Sequence, residues 1–204
     1  MPIDRCLLFG AGGHAKVVLE ALLAACPGCV VDVRDDNRAL DGASFLGYRI
    51  AAPCLETEMR DIAVHVAVGD NAARKRLARA ATTAGGRLRS IVHPGAAVSP
   101  SALTGQGTFI AALAVIGPEA VIGDGTIVNH GAVIDHDCRV GAWTHVAPRA
   151  VLGGGAIVEE GVLLGSGCVI LPGLRIGAGA TVGAGAVVTR DVSAGVTVKG
   201  VPAK

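Results

Sequence analysis

The chain has 204 residues and a formal net charge of +1, and 51% of its residues are hydrophobic but only 2% aromatic. The length allows one domain or two small ones, and so small a net charge gives no electrostatic reason to expect nucleic acid or an anionic membrane as a partner. No apolar run reaches the roughly 18 residues that a membrane-spanning helix needs, and the N-terminal segment lacks the pattern of a signal peptide. The sequence therefore predicts a cytoplasmic protein.

The first 90 residues alternate short apolar runs with helical patterns, as is typical of a small parallel sheet covered by helices. Strands are predicted at RCLLF, CVVDV, DIAVHVAV and, last, LRSIVHP. Helices are predicted at HAKVVLEALLAAC and at NAARKRLARAATT, the second of which is stopped by two glycines. We therefore predict a Rossmann-like α/β subdomain over residues 1–90.

A glycine-rich loop, GAGGHA at residues 10–15, follows the first strand and opens the first helix. It fits the G-x-G-x-x-A pattern, in which glycines let a helix N-terminus approach a phosphate closely. A complete dinucleotide-binding fold needs two mononucleotide-binding halves, and only one fits before residue 91, so a nucleotide diphosphate attached to another group suits the loop as well as NAD. A glycine turn that caps the helix and binds nothing is the alternative.

Three residues end the next two strands at the same edge of the predicted sheet: Asp35, Asp36 and Gly69. Because carboxylates accept hydrogen bonds, the two aspartates can bind a base or a ribose at this edge. The loop and the two strand ends together predict a site for a nucleotide.

From Ile91 the chain changes to a repeat of six residues, and seventeen hexads run to Val192 without an insertion. The second position is Val, Ile or Leu in every hexad except LTGQGT, and the sixth is small in every hexad except VILPGL. Each hexad supplies a short strand and a turn, and three hexads close a triangular coil with the aliphatic second position inside. We predict that residues 91–204 form a prism of stacked coils, whose narrow interior explains the scarcity of aromatic residues.

The segment VNHGAVIDHDC contains two histidines that the period separates. His130 and His136 are one hexad apart and lie on consecutive faces, which argues against a two-histidine metal site within one chain. Gly154 is one coil after His136 and lies directly above it, so a backbone N–H there could stabilise an oxyanion. The acids that flank His136 can orient its ring and raise its basicity, as acyl transfer requires; a solvated histidine on a turn is the alternative.

Eight segments carry a resemblance to a known family: FGAGGHA, AVGDN, HPGAAVSPSA, VNHGAVIDHDC, HVAPRA, LGSGCVILPG, VGAGAVVTRDV and the terminal GVPAK. The chain resembles the bacterial hexapeptide-repeat sugar acyltransferases, which include nucleotide-linked amino-sugar N-acetyltransferases and sialic acid O-acetyltransferases. The resemblance implies a left-handed parallel β-helix over residues 91–204 and a homotrimer with active sites between neighbouring prisms.

The resemblance also implies an activity. We expect an acetyl-CoA-dependent N-acetyltransferase that acts on a UDP- or GDP-linked 4-amino deoxysugar, by direct transfer in a ternary complex and without a metal. Two alternatives remain: O-acetylation of a sialic acid-type sugar, and binding of a nucleotide sugar without catalysis.

Individual positions take their roles from the same resemblance. His136 matches the base that removes a proton from the sugar amine, and Asp137 matches the acid that increases its basicity, with Asp135 as a competitor because some relatives have Glu where this chain has Asp137. The residues that match contacts of acetyl-CoA are His145, Gly154, Ser166 and Ala184. The residues that match contacts of the nucleotide sugar are Gly12, Gly13, His14, Asp35, Asp36 and Gly69, and Asn129 is expected to face the sugar.

Overall fold

The computed structural model describes residues 5–55 and 59–204. Residues 1–4 and 56–58, which fall within the predicted first subdomain, lie outside the described residues. An α/β part comes first in the chain and is followed by a long series of two-residue strands. Within the described ranges, no helix combines the length and the apolar character that crossing a membrane requires.

The α/β part is built around one sheet. Its elements are β1 (Arg5–Phe9), α1 (Gly13–Ala25), β2 (Val30–Arg34), a 3-10 helix (Arg38–Leu40), β3 (Ser44–Phe45), β4 (Tyr48–Ala51), β5 (Ala63–Val66), α2 (Asn71–Thr83) and β6 (Arg87–Leu88). The strand order is β3-β4-β2-β1-β5-β6, and every pair is parallel except β3 with β4. The predicted Rossmann-like arrangement is confirmed. The sequence does not predict the β3–β4 hairpin, because strands this short show no hydrophobic period.

The prism consists of strands β7 to β24. They are β7 (Ile91–Val92), β8 (Ala97–Val98), β9 (Leu103–Thr104), β10 (Phe109–Ile110), β11 (Val115–Ile116), β12 (Val121–Ile122), β13 (Ile127–Val128), β14 (Val133–Ile134), β15 (Arg139–Val140), β16 (His145–Val146), β17 (Val151–Leu152), β18 (Ile157–Val158), β19 (Leu163–Leu164), β20 (Val169–Ile170), β21 (Arg175–Ile176), β22 (Thr181–Val182), β23 (Val187–Val188) and β24 (Thr197–Val198). They form three parallel sheets in which each strand pairs with the strand one coil away. This is the predicted left-handed parallel β-helix of hexads.

The prism has three faces, one for each sheet, and three corners formed by the turns between them. The first face contains β13 and β16, the second β14 and β17, and the third β15 and β18. The first corner holds residues 129–132 and the turns stacked on them, and the second corner holds residues 135–138 and their stack. The third corner holds residues 141–144 and their stack.

The segment LRSIVHP, predicted as one strand, is divided between the two parts of the chain. Strand β6 pairs with β5 in the α/β sheet, whereas β7 pairs with β10 in the prism. Leu88 packs on the side of the sheet that α2 covers, and Ile91 packs against α1. The prediction of a single strand was wrong because these two apolar residues belong to different clusters. The subdomain boundary at residue 90 stays a prediction.

The interior of the prism follows the hexad rule. Inward residues such as Val128, Ile134 and Val140 are at most 3% exposed, and the small residues Ala132 and Cys138 at the corners are fully buried. Fully burying one aliphatic side chain of this size stabilises the fold by roughly 1.5–3 kcal/mol. A stack of such residues therefore gives a rigid support for the side chains at the corners.

The α/β part docks on the first face of the prism. The outward residues Ile91, Phe109 and Ile127 are only 1–2% exposed because they pack in the same cluster as buried residues of α1, among them Val18 and Leu22. This boundary between the two parts is called the seam. In the row of outward residues on this face, Ile127 is followed one coil later by His145 on strand β16. The apolar residues of the seam therefore end next to a polar side chain.

Candidate active site

The loop between β1 and α1 leaves a helix N-terminus open. Gly10 has a φ of +109°, and a Cβ there would lie 2.9 Å from the carbonyl oxygen of Ala67, so this position requires glycine. Gly12 caps α1 without a side-chain hydrogen bond. Apart from the chain neighbours and the backbone of α1 itself, no atom of the described residues lies within 4 Å of the place where a Cβ would be on Gly12 or Gly13. Because unpaired N–H groups point out of such a terminus, the loop can accept an anion such as a phosphate.

The two aspartates at the neighbouring strand end have different surroundings. Asp35 accepts hydrogen bonds from the backbone N–H of Ala11 through Oδ2 and from that of Asn37 through Oδ1, both at 2.8 Å. Asp36 accepts one from the N–H of Cys54 through Oδ1 at 3.1 Å, and the Cys54 thiol also hydrogen-bonds its side chain. Asp35 therefore shapes the glycine loop, and Asp36, the more exposed of the two carboxylates, is more accessible to a bound nucleotide.

Four of the predicted residues meet at the seam. The ring of His14 lies 5.4 Å from that of Phe109 and 6.2 Å from that of His145, measured between centroids. The Nε2 atom of His145 is 3.3 Å from Nδ2 of Asn129, and its ring also hydrogen-bonds the backbone of Gly69. The structure thus brings His14, Gly69, Asn129 and His145 together.

The seam histidines are uncharged at neutral pH. Burial lowers the pKa of His14 to about 3, and burial together with the positive charge of Arg74 lowers the pKa of His145 to about 4. A neutral imidazole offers one N–H donor and one acceptor. The Nε2 atom of His14 is buried and has no hydrogen-bond partner among residues 5–55 and 59–204. It is therefore a group that a bound ligand could satisfy.

Arg74 is a functional candidate that we do not predict from the sequence. It is 1% exposed, and its guanidinium hydrogen-bonds acceptors on both sides of the seam. These are the carbonyl oxygens of Gly125 (2.7 Å), Val68 (3.0 Å), Gly69 (3.1 Å), Trp143 (3.1 Å) and Thr144 (3.3 Å), and Oδ1 of Asn71 (2.7 Å). A signal exists, because Arg74 falls on the apolar stripe of α2 with Leu77, Ala78 and Ala81, where a charge is out of place.

A histidine–aspartate pair lies on the second corner. Nδ1 of His136 is 2.7 Å from Oδ2 of Asp137, whereas Asp135 accepts a hydrogen bond from the backbone N–H of His136 at 2.7 Å. Asp137 is thus the acid that contacts the ring, and Asp135 contacts the backbone. The hydrogen bond with Asp137, followed by the charge of Asp135, raises the pKa of His136. With Nδ1 engaged, Nε2 is the ring nitrogen left for chemistry.

Gly154 lies against that ring. A Cβ on Gly154 would be 2.6 Å from both Nε2 and Cε1 of His136, which is closer than any real Cβ approaches. The next residue, Gly155, donates its N–H to the carbonyl oxygen of His136 at 2.9 Å and ties the two coils together. No hydrogen bond among the described residues uses the N–H of Gly154. A basic nitrogen and an available backbone donor are therefore neighbours.

The remaining predicted residues lie elsewhere. Ser166 and Ala184 are exposed neighbours on the first corner, where the N–H of Gly185 donates to the carbonyl oxygen of Ser166 at 2.9 Å. Within one chain, the His136–Asp137 pair on the second corner is separate from them and from the seam. The described part of the chain contains no cluster of three His, Cys, Asp or Glu side chains that could hold a metal ion.

Two family models match the chain. Residues 5–81 match the PglD N-terminal domain, and residues 101–136, 119–154 and 155–190 match the bacterial transferase hexapeptide (six repeats). Among curated proteins, a UDP-N-acetylbacillosamine N-acetyltransferase from Bacillus subtilis is 37% identical over 110 residues, which are 52% of this chain and 50% of that protein. The match thus spans about half the length of this curated relative.

Solved structures match over nearly the whole length. One is a histidine-to-asparagine variant of perosamine N-acetyltransferase from Caulobacter crescentus in complex with CoA and GDP-perosamine. It is 40% identical with a TM-score of 0.91, and the match covers 98% of this chain and 95% of that one. Another is the acetyltransferase domain of PglB from Neisseria gonorrhoeae in complex with acetyl coenzyme A, at 38% identity and a TM-score of 0.88, with 99% and 98% covered.

Proposed function

The chain belongs to the hexapeptide-repeat sugar acyltransferases, whose matched relatives are nucleotide-sugar N-acetyltransferases, and on this premise we propose that it transfers an acetyl group from acetyl-CoA to the amino group of a nucleotide-linked amino sugar. The observation that carries the proposal is the His136–Asp137 pair with Gly154 packed on the ring. It supplies a base, an orienting acid and a backbone donor, which are the groups that acyl transfer needs.

His136 is the general base in this mechanism. The neutral amine attacks the thioester carbonyl of acetyl-CoA, and Nε2 of His136 accepts the ammonium proton as the C–N bond forms. The C–S bond then breaks, and the proton passes from the imidazolium to the leaving sulfur of CoA. Asp137 holds the Nδ1–H and stabilises the imidazolium, so the free Nε2 carries the basic lone pair. The acetyl group moves directly within a ternary complex, without a covalent acyl-enzyme.

The oxyanion of the tetrahedral intermediate is stabilised by a backbone N–H. We assign this role to Gly154, since its N–H is not used within the described chain and it lies against the ring of the base. Removing one oxyanion donor from an acyl-transfer enzyme costs about 10²–10³ in turnover. The donor is therefore expected to contribute as much as the base itself.

The nucleotide sugar binds at the loop of α1 and the adjacent strand ends. The open N-terminus at Gly12 and Gly13 suits the diphosphate, and Asp36 suits the base or ribose. His14 and Asn129 face the sugar from the seam. We propose a UDP- or GDP-linked 4-amino deoxysugar as the substrate; the Caulobacter relative is in complex with GDP-perosamine, a nucleotide-linked amino sugar.

Acetyl-CoA binds along a groove that includes His145, Gly154, Ser166 and Ala184, and the active unit is a homotrimer. The base and the acid are 59% and 65% exposed in a single chain, although acyl transfer is favoured by exclusion of water. A neighbouring prism that covers the second corner would bury the pair and bring another chain's first corner against it. We also propose a cytoplasmic location, as predicted from the sequence.

Incubation with acetyl-CoA and a panel of UDP- and GDP-linked 4-amino sugars tests the function. We expect release of CoA thiol and a gain of one acetyl group in the mass of one panel member. Thiol release with free sialic acid instead would indicate O-acetylation. Absence of release with every sugar, from protein that binds a nucleotide sugar, would leave a binding role and disprove the proposal.

A further inference from the structure

We propose that Arg74 is a positioning residue: it holds the loop of residues 68–71 against strand β16 and so fixes the ring of His145 beside the nucleotide-sugar loop. The consequence for substrate binding rests on the proposed function. Arg74 itself touches no reacting group in that mechanism. Its effect passes through Gly69, which contacts both the guanidinium and the imidazole of His145.

The hydrogen bonds of Arg74 span the seam. In the α/β part, Nη1 of the guanidinium donates to the carbonyl oxygens of Val68 and Gly69, and Nη2 donates to Oδ1 of Asn71. Nη2 also donates to the carbonyl oxygens of Trp143 and Thr144, the two residues that precede His145 in the chain. Because the guanidinium is planar and rigid, these bonds fix the loop and the strand relative to each other.

A second link crosses the seam close by. Nδ2 of Asn71 donates to the carbonyl oxygens of Gly161 and Val162, each at 3.1 Å, while its Oδ1 accepts from Arg74. The loop is thus tied to two successive coils, through Thr144 and through Val162. If Arg74 and Asn71 served only to stabilise α2, they would not need to donate hydrogen bonds to carbonyl groups of the prism.

A lysine at position 74 cannot make the same set of hydrogen bonds. An ammonium has three donors on a flexible stem, whereas the guanidinium has five donors in a fixed plane, and all of its nitrogens are used here. Burial lowers the pKa of Arg74 to about 10, so the group remains protonated at neutral pH and keeps every donor. The Arg74→Lys variant therefore retains the charge and loses the geometry.

The test compares Arg74→Lys and Arg74→Met with Arg76→Met, which removes an exposed arginine from the same helix. Hydrogen–deuterium exchange is measured for the peptides that cover residues 68–71 and 143–146. The KM values for the nucleotide sugar and for acetyl-CoA are measured in parallel. We expect both Arg74 variants to exchange faster in these peptides. We also expect them to raise the KM for the nucleotide sugar, through Gly69, and the KM for acetyl-CoA, through His145, by about tenfold or more. The kcat should stay within about twofold of wild type, because the His136–Asp137 pair lies on the second corner, away from the seam.

Two outcomes would overturn the proposal. One is a folded Arg74→Lys protein with wild-type exchange in both peptides and an unchanged nucleotide-sugar KM. The other is faster exchange in peptides throughout the chain together with a fall in kcat, which a general loss of structure would produce. If Arg74→Met does not fold, Arg74→Lys decides. The exchange measurement needs no turnover, so failure of the wild type to transfer acetyl groups would refute the proposed function without deciding the role of Arg74.

Discussion

Gly154 lies directly over the imidazole of His136, one coil further along the prism, and leaves no room for a Cβ between them. The glycine therefore fixes how closely the backbone of one coil approaches the base on the coil below. Because its own φ is not in the left-handed region, the constraint at Gly154 is contact with the ring and not backbone conformation.

Replacing Gly154 with alanine should impair turnover more than stability. The added methyl group would displace the ring of His136 and misalign it with Asp137, so we expect a fall in kcat of about tenfold or more. Gly179→Ala is the matched control, since Gly179 lies on the third corner with a φ of +66° and open space around it. That control should lower the free energy of unfolding by roughly 1–2 kcal/mol with little change in kcat. Equal turnover of the Gly154→Ala and wild-type proteins would contradict the role of this contact.

Removing the imidazole of His136 should abolish most activity without weakening binding. We expect His136→Ala to reduce kcat by about 10²–10⁴-fold, because a general base contributes that much. Calorimetry should show CoA affinity close to that of wild type. His130→Ala is the control, since His130 takes the same place in the preceding hexad but lies on the first corner. Near wild-type turnover by His136→Ala would disprove the assignment of the base.

The pH dependence of the reaction should report the His136–Asp137 pair. A base must be unprotonated, and the pKa of His136 is raised, so activity should rise with pH through a midpoint above the ordinary imidazole value of about 6.5. Asp137→Asn removes the strongest cause of the shift and should move the midpoint to lower pH while reducing the maximal rate. The titration of the substrate amine is common to both proteins and cancels in the comparison. Asp135→Asn should give a smaller shift, and a larger one would reverse the assignment of the two acids.

The stability of the packing at the seam should depend on Phe109. This residue is 1% exposed and its ring contacts that of His14. Truncation of a buried phenylalanine costs about 3–5 kcal/mol, so Phe109→Ala should lower the denaturant midpoint and loosen the seam. Leu113→Ala removes a side chain that is 74% exposed and should change stability by no more than about 0.5 kcal/mol. A similar loss in both variants would show that the packing at the seam is not the cause.

The oligomeric state can be measured by light scattering, and we expect the mass of a trimer. The outward residues of the second face form an apolar row that the described chain leaves partly exposed: Val115, Val133, Val151, Val169 and Val187. Val151→Arg should break the assembly, since a charge would be buried without a partner, and should reduce activity with it. Val30→Arg, on an exposed strand of the α/β part, should leave the mass unchanged. A monomeric and fully active wild type would exclude the trimer.

The period of six was sufficient to predict much of the site. It places Gly154 above His136 and separates His130 from His136, because register in a parallel stack without insertions depends only on counting. Both relationships are present in the structure. The glycine loop of α1 is similarly predictable, because the G-x-G-x-x-A pattern between a strand and a helix indicates a tight turn that leaves the helix N-terminus open.

Other parts of the site depend on side-chain directions and long-range contacts, which the period of six does not determine. The position of the two acids on either side of His136 does not distinguish them, and only the resemblance favours Asp137 over Asp135. In the structure the difference comes from the left-handed backbone of Asp137, with a φ of +61°, and from the direction of each side chain. Arg74 is not predicted because three of its acceptors, the backbone carbonyls of Gly125, Trp143 and Thr144, lie far away in the chain. A pattern of side chains cannot reveal such acceptors.

The uninterrupted hexads also limit how the length of this protein can change in evolution. Gain or loss of a single residue between His136 and Gly154 would rotate every later side chain out of its place, so that glycine would no longer cover the base. Gain or loss of six residues would move all of the later sequence to the neighbouring face of the prism. Only the addition or removal of a complete coil keeps every later residue on its original face of the prism. Lineages of this architecture are therefore expected to differ in size by whole coils, and to place shorter insertions before or after the repeat.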